Sequence, residues 1–192
     1  MNNTKNTRVK FGKHSYSREN IEVLSWGEKA DLSVGAFTSI AKGCRCILGG
    51  NHRINWGTTY PFGLINGHIF NNSIIEKEKY SQTNGSINIG SDVWIGLNVT
   101  IMSGVSIGNG AIVAANSHVV RDIEEYAIYG GNPSKKIRYR FDQDIREELK
   151  RIAWWKYDDN MINKIIPLLQ REISLAALKE IKRCLMEVDY NV

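Results

Sequence analysis

IGSDVW-IGLNVT-IMSGVS-IGNGAI-VAANSH-VVRD, residues Ile89–Asp122, repeats with a period of six. Each hexad opens on a β-branched aliphatic residue: Ile89, Ile95, Ile101, Ile107, Val113 and Val119. Four residues later stands a second small or aliphatic one: Val93, Val99, Val105, Ala111, Ser117 and Ile123. The fourth position holds a turn former, Asp92, Asn98, Gly104, Gly110, Asn116 and Asp122. A short fixed period marks a solenoid. Six residues are too few for a helix pair but suit one flat strand of a prism. Its corners need residues that tolerate positive φ. Positions one and five point inward and stack on the coils above and below, about 4.8 Å apart. The reading is a parallel β-helix with three strands per turn, in which equivalent positions recur every 18 residues.

Working outward, hexads also run from Val34, Ile40 and Cys46, and residues 12–33 form a looser first coil around Ile21, Val23, Leu24 and Leu32. The pattern breaks at about residues 50–86, where His52, Trp56, Tyr60, Phe62, His68, Phe70 and Tyr80 occur. Connections of this length are usually functional or disordered, and the aromatic content argues against disorder. The loop is expected to pack against a neighbouring subunit. Residues 1–140 are thus assigned to the β-helix and its insertion, and 141–192 to a helical cap over the exposed last coil. In that cap, Asp144 and Glu147 suggest a capping box, with Ile145, Leu149, Ile152 and Ala153 on one face. Asp158 or Asp159 caps a second helix carrying Met161, Ile162, Ile165 and Ile166, which Pro167 should end or kink. Ser174 caps a third, with Leu175, Leu178, Ile181, Leu185 and Val188 on one side.

Composition narrows the class. A chain of 192 residues with no apolar run near 18 residues carries no expected transmembrane helix. Met1–Lys10 is polar and basic, unlike a secretory signal. Three cysteines, an odd number, argue against a disulfide framework. Cys44 and Cys46 fall at inward hexad positions and read as small core residues. These features fit a reducing cytoplasm. The net charge of +5 is mild. No nucleic-acid motif accompanies it, so an anionic small ligand near Lys135, Lys136, Arg138 and Arg140 is preferred.

Among the histidines, His52 follows Gly49-Gly50-Asn51 where the coils give way to the insertion. Glycines there permit close approach of a backbone or ligand. Histidine ionises near neutrality, which makes His52 a candidate general base. Against it stands the plain reading of a hydrogen-bonding surface residue. A three-histidine zinc site is disfavoured, because only His118 lies within the regular hexads and no second histidine is near it; no metal is expected. Trp94 holds an outward position on the face shared by Ile112, as a subunit contact or a ligand platform.

The succession Gly35-Ala36-Phe37-Thr38-Ser39-Ile40-Ala41, Gly49-Gly50-Asn51-His52-Arg53, Thr59-Tyr60-Pro61-Phe62, Asp92-Val93-Trp94-Ile95-Gly96, Gly130-Gly131-Asn132-Pro133 and Ala153-Trp154-Trp155 resembles the xenobiotic acetyltransferase subgroup of hexapeptide-repeat acyltransferases, across about residues 10–185. That subgroup includes chloramphenicol and streptogramin acetyltransferases and sugar O-acetyltransferases. The resemblance implies a left-handed β-helix, a homotrimer with active sites between subunits, acetyl-CoA as donor, and His52 as the catalytic histidine. Where the family usually carries Asp or Glu three residues later, this chain has Asn55, which can hydrogen-bond but supplies no negative charge. Donor contacts are expected from Trp94, Ala114, Ala115, Ser117, Lys135, Lys136 and Arg138. Acceptor contacts are expected from Asn51, Trp56, Tyr60 and Phe62. The compact stretch Ile21–Val34 resembles the shorter sugar-modifying relatives more than the drug-modifying ones, which implies a hydroxyl on a sugar or sugar precursor as acceptor. The alternatives are antibiotic O-acetylation, N-acetylation of an amino sugar, and a non-enzymatic β-helix serving assembly or binding.

Overall fold

The computed structural model describes residues 7–17, 21–62, 64–65, 68–70 and 81–186. The chain divides into two compact units, Met1–Arg138 and Tyr139–Val192.

The first unit coils through short strands: β1 (Val9–Phe11), β2 (Tyr16–Ser17), β3 (Glu22–Leu24), β4 (Leu32–Val34), β5 (Ser39–Ile40), β6 (Arg45–Ile47), β7 (Ile87–Ile89), β8 (Trp94–Ile95), β9 (Thr100–Met102), β10 (Ser106–Ile107), β11 (Ile112–Val113), β12 (His118–Val119), β13 (Ala127–Gly130) and β14 (Lys135–Tyr139). They stack into three sheets, β1-β4-β7-β10, β14-β13-β11-β8-β5-β2 and β12-β9-β6-β3. These are the three faces of the expected prism, called A, B and C below. Coil-to-coil pairings are parallel, and in the regular part partners are 18 residues apart, as in Asn88↔Ser106, Trp94↔Ile112 and Thr100↔His118.

The inward positions make the core. Ile89, Ile95, Ile101, Ile107, Val113 and Val119 are buried, as are Val93, Val99, Val105, Ala111, Ser117 and Ile123. Cys44 and Cys46 are buried among them, and the Cys44 thiol donates to the Gly96 carbonyl at 3.2 Å. The corners also follow the reading. Asp92, Asn98, Gly104, Gly110 and Asn116 all have positive φ, between 56° and 81°. Asp122 does not. The final coil is two residues shorter, with Ile107 facing Ile123 and Ile112 facing Ile128. Its turn therefore differs, and the Asp122 carboxylate instead accepts from the Ser106 N–H at 2.7 Å.

Coil length departs from 18 at one corner only, between faces C and A. In the first coil the partners are 23 apart (Val9↔Leu32, Glu22↔Arg45), because the turn 25–31 is longer. In the second they are 55 apart (Leu32↔Ile87, Arg45↔Thr100), because the insertion leaves there. The two enlarged corners lie one above the other, and the candidate site is built on them.

The second unit holds α1 (Gln143–Ile152), a 3₁₀ turn at Trp154–Lys156, α2 (Asp159–Leu169) and α3 (Leu175–Met186). Asp158 caps α2, accepting from Met161 N–H at 2.9 Å, and Ser174 caps α3 through Ala177 N–H at 3.2 Å. Three expectations are corrected. The N-cap of α1 is Asp142, without a side-chain cap bond, so Asp144 lies inside the first turn, where its charge suits the helix N-terminus. Pro167 does not end α2, which runs on to Leu169. Ile166 and Leu175 are exposed, whereas Leu168 is buried. Val188 lies outside the described residues.

Candidate active site

The turn 25–31 carries Trp26 and Glu28 to the root of the insertion. Glu28 Oε1 accepts from the Gly50 N–H at 2.7 Å, Oε2 accepts from the Trp26 N–H at 2.8 Å, and the Ser81 hydroxyl donates to Oε1. Burial alone would push this carboxyl up. The hydrogen bonds from Ser81, Gly50 and Trp26 outweigh it and hold it below its ordinary value. The glycines of the sequence motif now have a physical reason. A Cβ at Gly49 would fall 2.1 Å from Glu28 Cδ, and one at Gly50, where φ is +78°, would fall 2.6 Å from the Trp26 ring. What approaches these glycines is the chain's own Glu28 and Trp26. Sequence reasoning missed Glu28, and the five extra residues of the first coil were the only signal of it.

Beyond Gly50 the outgoing and returning chains pair. Asn51 N–H donates to the Gln82 carbonyl at 3.0 Å and Gln82 N–H to the Asn51 carbonyl at 2.8 Å. The Asn51 amide nitrogen also donates to the Ser103 hydroxyl at 3.3 Å. Asn51 is thus a structural tie between the insertion and the coil, which accounts for it without any acceptor contact. His52 follows, exposed, with Nδ1 2.7 Å from the Thr59 carbonyl oxygen. A carbonyl only accepts, so Nδ1 carries a proton, and in the neutral ring Nε2 then presents its lone pair. A backbone carbonyl orients the ring, and Asn55 is exposed. Thr59 also brings the next residues alongside. Tyr60 and Phe62 pack edge-on at 4.8 Å, and Phe62 and Phe70 at 5.0 Å. Trp56 lies under the Arg53 guanidinium at 5.0 Å. Tyr80 of the insertion lies outside the described residues.

The residues expected on the donor side stand elsewhere on the prism. Trp94 is 56% exposed on face B, in an outward column that registers Tyr16, Ser39, Trp94, Ile112 and Ile128. At the corner between faces B and C, Ala114 is half-buried and Ala115 exposed. Small residues there are also demanded by packing: a Cβ at Gly96 would fall 2.6 Å from Ala115 N, and one at Gly130 would fall 3.2 Å from Ala114 Cβ. Ser117 is corrected. It is 2% exposed, and its hydroxyl donates to the Ala114 carbonyl at 2.6 Å while accepting from Gly131 N–H at 3.2 Å. It braces the turn from inside and is not a groove contact. Lys135 and Arg138 are exposed on β14. Lys136 Nζ is held by the Glu124 carboxylate at 2.9 Å, which offsets its charge. Face C separates His52 from Ala114 and Ala115, so a single chain does not bring the candidate base and the candidate donor groove together.

His14 and His118 are set apart from His52. His14 stacks on Phe37 at 4.8 Å, and His118 registers with Thr100 on face C. Among the described residues, no group of three His, Cys, Asp or Glu could hold a metal ion.

Residues 86–121 match the family described as bacterial transferase hexapeptide (six repeats). Over 149 residues, 77% of this chain and 81% of the relative, the sequence is 44% identical to a probable macrolide acetyltransferase of Lysinibacillus sphaericus. The chain belongs to the hexapeptide-repeat acetyltransferases. A chloramphenicol acetyltransferase of Escherichia coli is 35% identical over 178 residues, 86% of this chain and 83% of that protein. Among solved structures, a hexapeptide-repeat acetyltransferase of Vibrio cholerae complexed with acetyl coenzyme A superposes with a TM-score of 0.53. It is 24% identical and covers 71% of this chain and 66% of its own. That likeness concerns the left-handed β-helix itself. As a family member the chain is an acyltransferase, and the non-enzymatic alternative is set aside.

Proposed function

We propose that this chain transfers the acetyl group of acetyl-CoA to a hydroxyl of a small molecule, with His52 as general base. The observation that carries the reading is the 2.7 Å contact of His52 Nδ1 with the Thr59 carbonyl. In the neutral imidazole it selects the form with Nε2 unprotonated on an exposed ring, the state a base must start from. Nε2 takes the acceptor's hydroxyl proton as that oxygen attacks the thioester carbonyl carbon. When the tetrahedral intermediate collapses, the C–S bond breaks and the imidazolium gives its proton to the leaving thiolate. Each atom and proton is then accounted for, and His52 returns to its starting form.

The site is completed by a second copy. His52 and the Ala114–Ala115 edge lie on opposite sides of face C, and the outward column of Trp94, Ile112 and Ile128 offers an apolar seam. Cyclic closure of such a seam gives a homotrimer with three equivalent sites. In it the pantetheine arm follows Ala114 and Ala115, Trp94 flanks it, and Lys135 and Arg138 meet the nucleotide phosphates. The reaction belongs in the cytoplasm, where acetyl-CoA is available.

Trp56, Tyr60 and Phe62 are assigned to the acceptor. Of the two acceptor classes, the relatives that cover most of the chain carry the names of a macrolide and a chloramphenicol acetyltransferase. They support an antibiotic hydroxyl above the sugar hydroxyl expected from the sequence. The sugar reading keeps one support of its own: the Trp26 ring, 46% exposed beside the His52 loop, is a platform on which a pyranose face could stack. The deciding experiment follows CoA release with macrolides, chloramphenicol, sugars and nucleotide sugars, using wild type and His52→Ala. Turnover restricted to antibiotics is the expected result. Turnover that survives His52→Ala with the true acceptor would sink the base assignment.

A further inference from the structure

We propose that Glu28 is a positioning residue for the acetyl-transfer site, clamping the root of the insertion so that the His52 imidazole keeps its Nδ1–H form with Nε2 aimed outward. The proposal deepens the reading of His52 as base and rests on it.

Three separate pieces of chain meet at the Glu28 carboxylate. Trp26 N–H is its own turn, Gly50 N–H is the outgoing limb of the insertion, and the Ser81 hydroxyl is the returning limb. Gly50 N–H is shared with Ser81 Oγ at 3.1 Å, so the two limbs are tied to each other as well as to the carboxylate. One residue beyond, Asn51 and Gln82 exchange two backbone hydrogen bonds, and the next residue is His52. All three partners are donors. A carboxylate accepts from all of them at once, and hydrogen bonds to a charged acceptor are the stronger kind. An amide at this place would turn its NH₂ group toward one donor. The geometry at Gly49, where a Cβ would strike Glu28 Cδ, means that the carboxylate lies directly on the limb that leads to His52. The ring is exposed, and among the described residues it is oriented by one contact, to a carbonyl within the same loop. Its direction therefore depends on how firmly the loop is rooted. Small misplacement of a reacting group costs up to about a hundredfold in rate.

The test uses the full-length protein and reads two things. Steady-state kinetics with the acceptor found in the panel separates kcat from the acetyl-CoA KM. ¹⁵N–¹H correlation spectra of the histidine rings, with His52→Ala for assignment, report the His52 tautomer without reference to turnover. Glu28→Ala is expected to lower kcat by about a hundredfold, leave the acetyl-CoA KM within about twofold, and replace the single Nδ1–H form of His52 by a mixture. Glu28→Gln, which preserves volume, should lower kcat by about tenfold, the worth of one charge-assisted bond. Should Glu28→Ala fail to fold, Glu28→Gln carries the same two measurements. A wild-type tautomer at His52 in the folded variant overturns the proposal, whatever the activity does. So does an unchanged kcat. Failure of the base assignment itself would be seen separately, as turnover that survives His52→Ala while the tautomer still responds to Glu28.

Discussion

The regular corners of the prism and its enlarged corner are made by different physics. At a regular corner one residue with positive φ turns the chain, and the equivalent corners of neighbouring coils stack on it. Asn98 and Asn116 illustrate this: equivalent by the coil, both left-handed, they join side chain to side chain at 3.3 Å. At the enlarged corner the turn 25–31 and the insertion root hold each other through Glu28, Gly49, Gly50 and Ser81, which are remote in sequence. The regular corners repeat from coil to coil. The non-local corner is unique, and the candidate base stands on it.

The largest expected effect separates chemistry from scaffold. His52→Ala should lower acetyl transfer by about 10²- to 10⁴-fold, the usual worth of a general base. Its thermal unfolding should match wild type, because the side chain is exposed. A fall in activity accompanied by loss of the fold would blur the comparison drawn above. The reverse pattern is expected at Ile101, fully buried in the coil stack. Ile101→Ala should cost about 2–5 kcal/mol in urea unfolding, while the folded fraction keeps its kcat.

A smaller effect concerns the charges on β14. Lys135→Ala should raise the acetyl-CoA KM by up to about tenfold, or ~1.4 kcal/mol, at low salt, and by less at high salt. Lys136→Ala should change it less, because Glu124 already holds that ammonium at 2.9 Å. Equal effects of the two substitutions would show that the ion pair opens when the donor binds.

The smallest effect tests the core. Burial, with the Cys44 thiol beside it, pushes the Cys46 thiol up to about 12, and burial also raises Cys44. Both remain thiols at pH 8, so a disulfide reagent should label Cys184 first and reach the other two only on unfolding. The sign for stability follows. The folded state keeps protons that the unfolded state gives up near the ordinary thiol value of 9.0. Stability should therefore decline as pH rises above that value.

Much of this protein could be read along the chain. The period of six named the core residues and six corner positions, five of which are left-handed, because a solenoid repeats the same local backbone demand in every coil. The helix caps at Asp158 and Ser174 were legible for a like reason, since a cap lies within a few residues of the N–H groups it satisfies. The cap of the first helix was misread. Asp142 and Asp144 are both plausible by type, and only the position of the first turn distinguishes them. Gly49-Gly50-Asn51-His52 pointed to a site but not to what presses on the glycines. Glu28 lies more than twenty residues away, and nothing in its neighbours announces the meeting. Ser117 was expected among the donor contacts, whereas its hydroxyl is turned inward to the Ala114 carbonyl, as its fifth hexad position demands.

The sequence by itself determined the parallel β-helix with three strands per turn, its inward residues, the place where the insertion leaves it and the histidine at that place. These follow from short-range periodicity and from residue types that tolerate particular backbone angles. Only the tertiary structure decided which nitrogen of His52 carries the proton, that a backbone carbonyl orients its ring, that Glu28 roots the loop, and that Lys136 is already paired. Each of these depends on which donor meets which acceptor across distant segments, and that is set by how the coils stack rather than by the order of residues along any one of them.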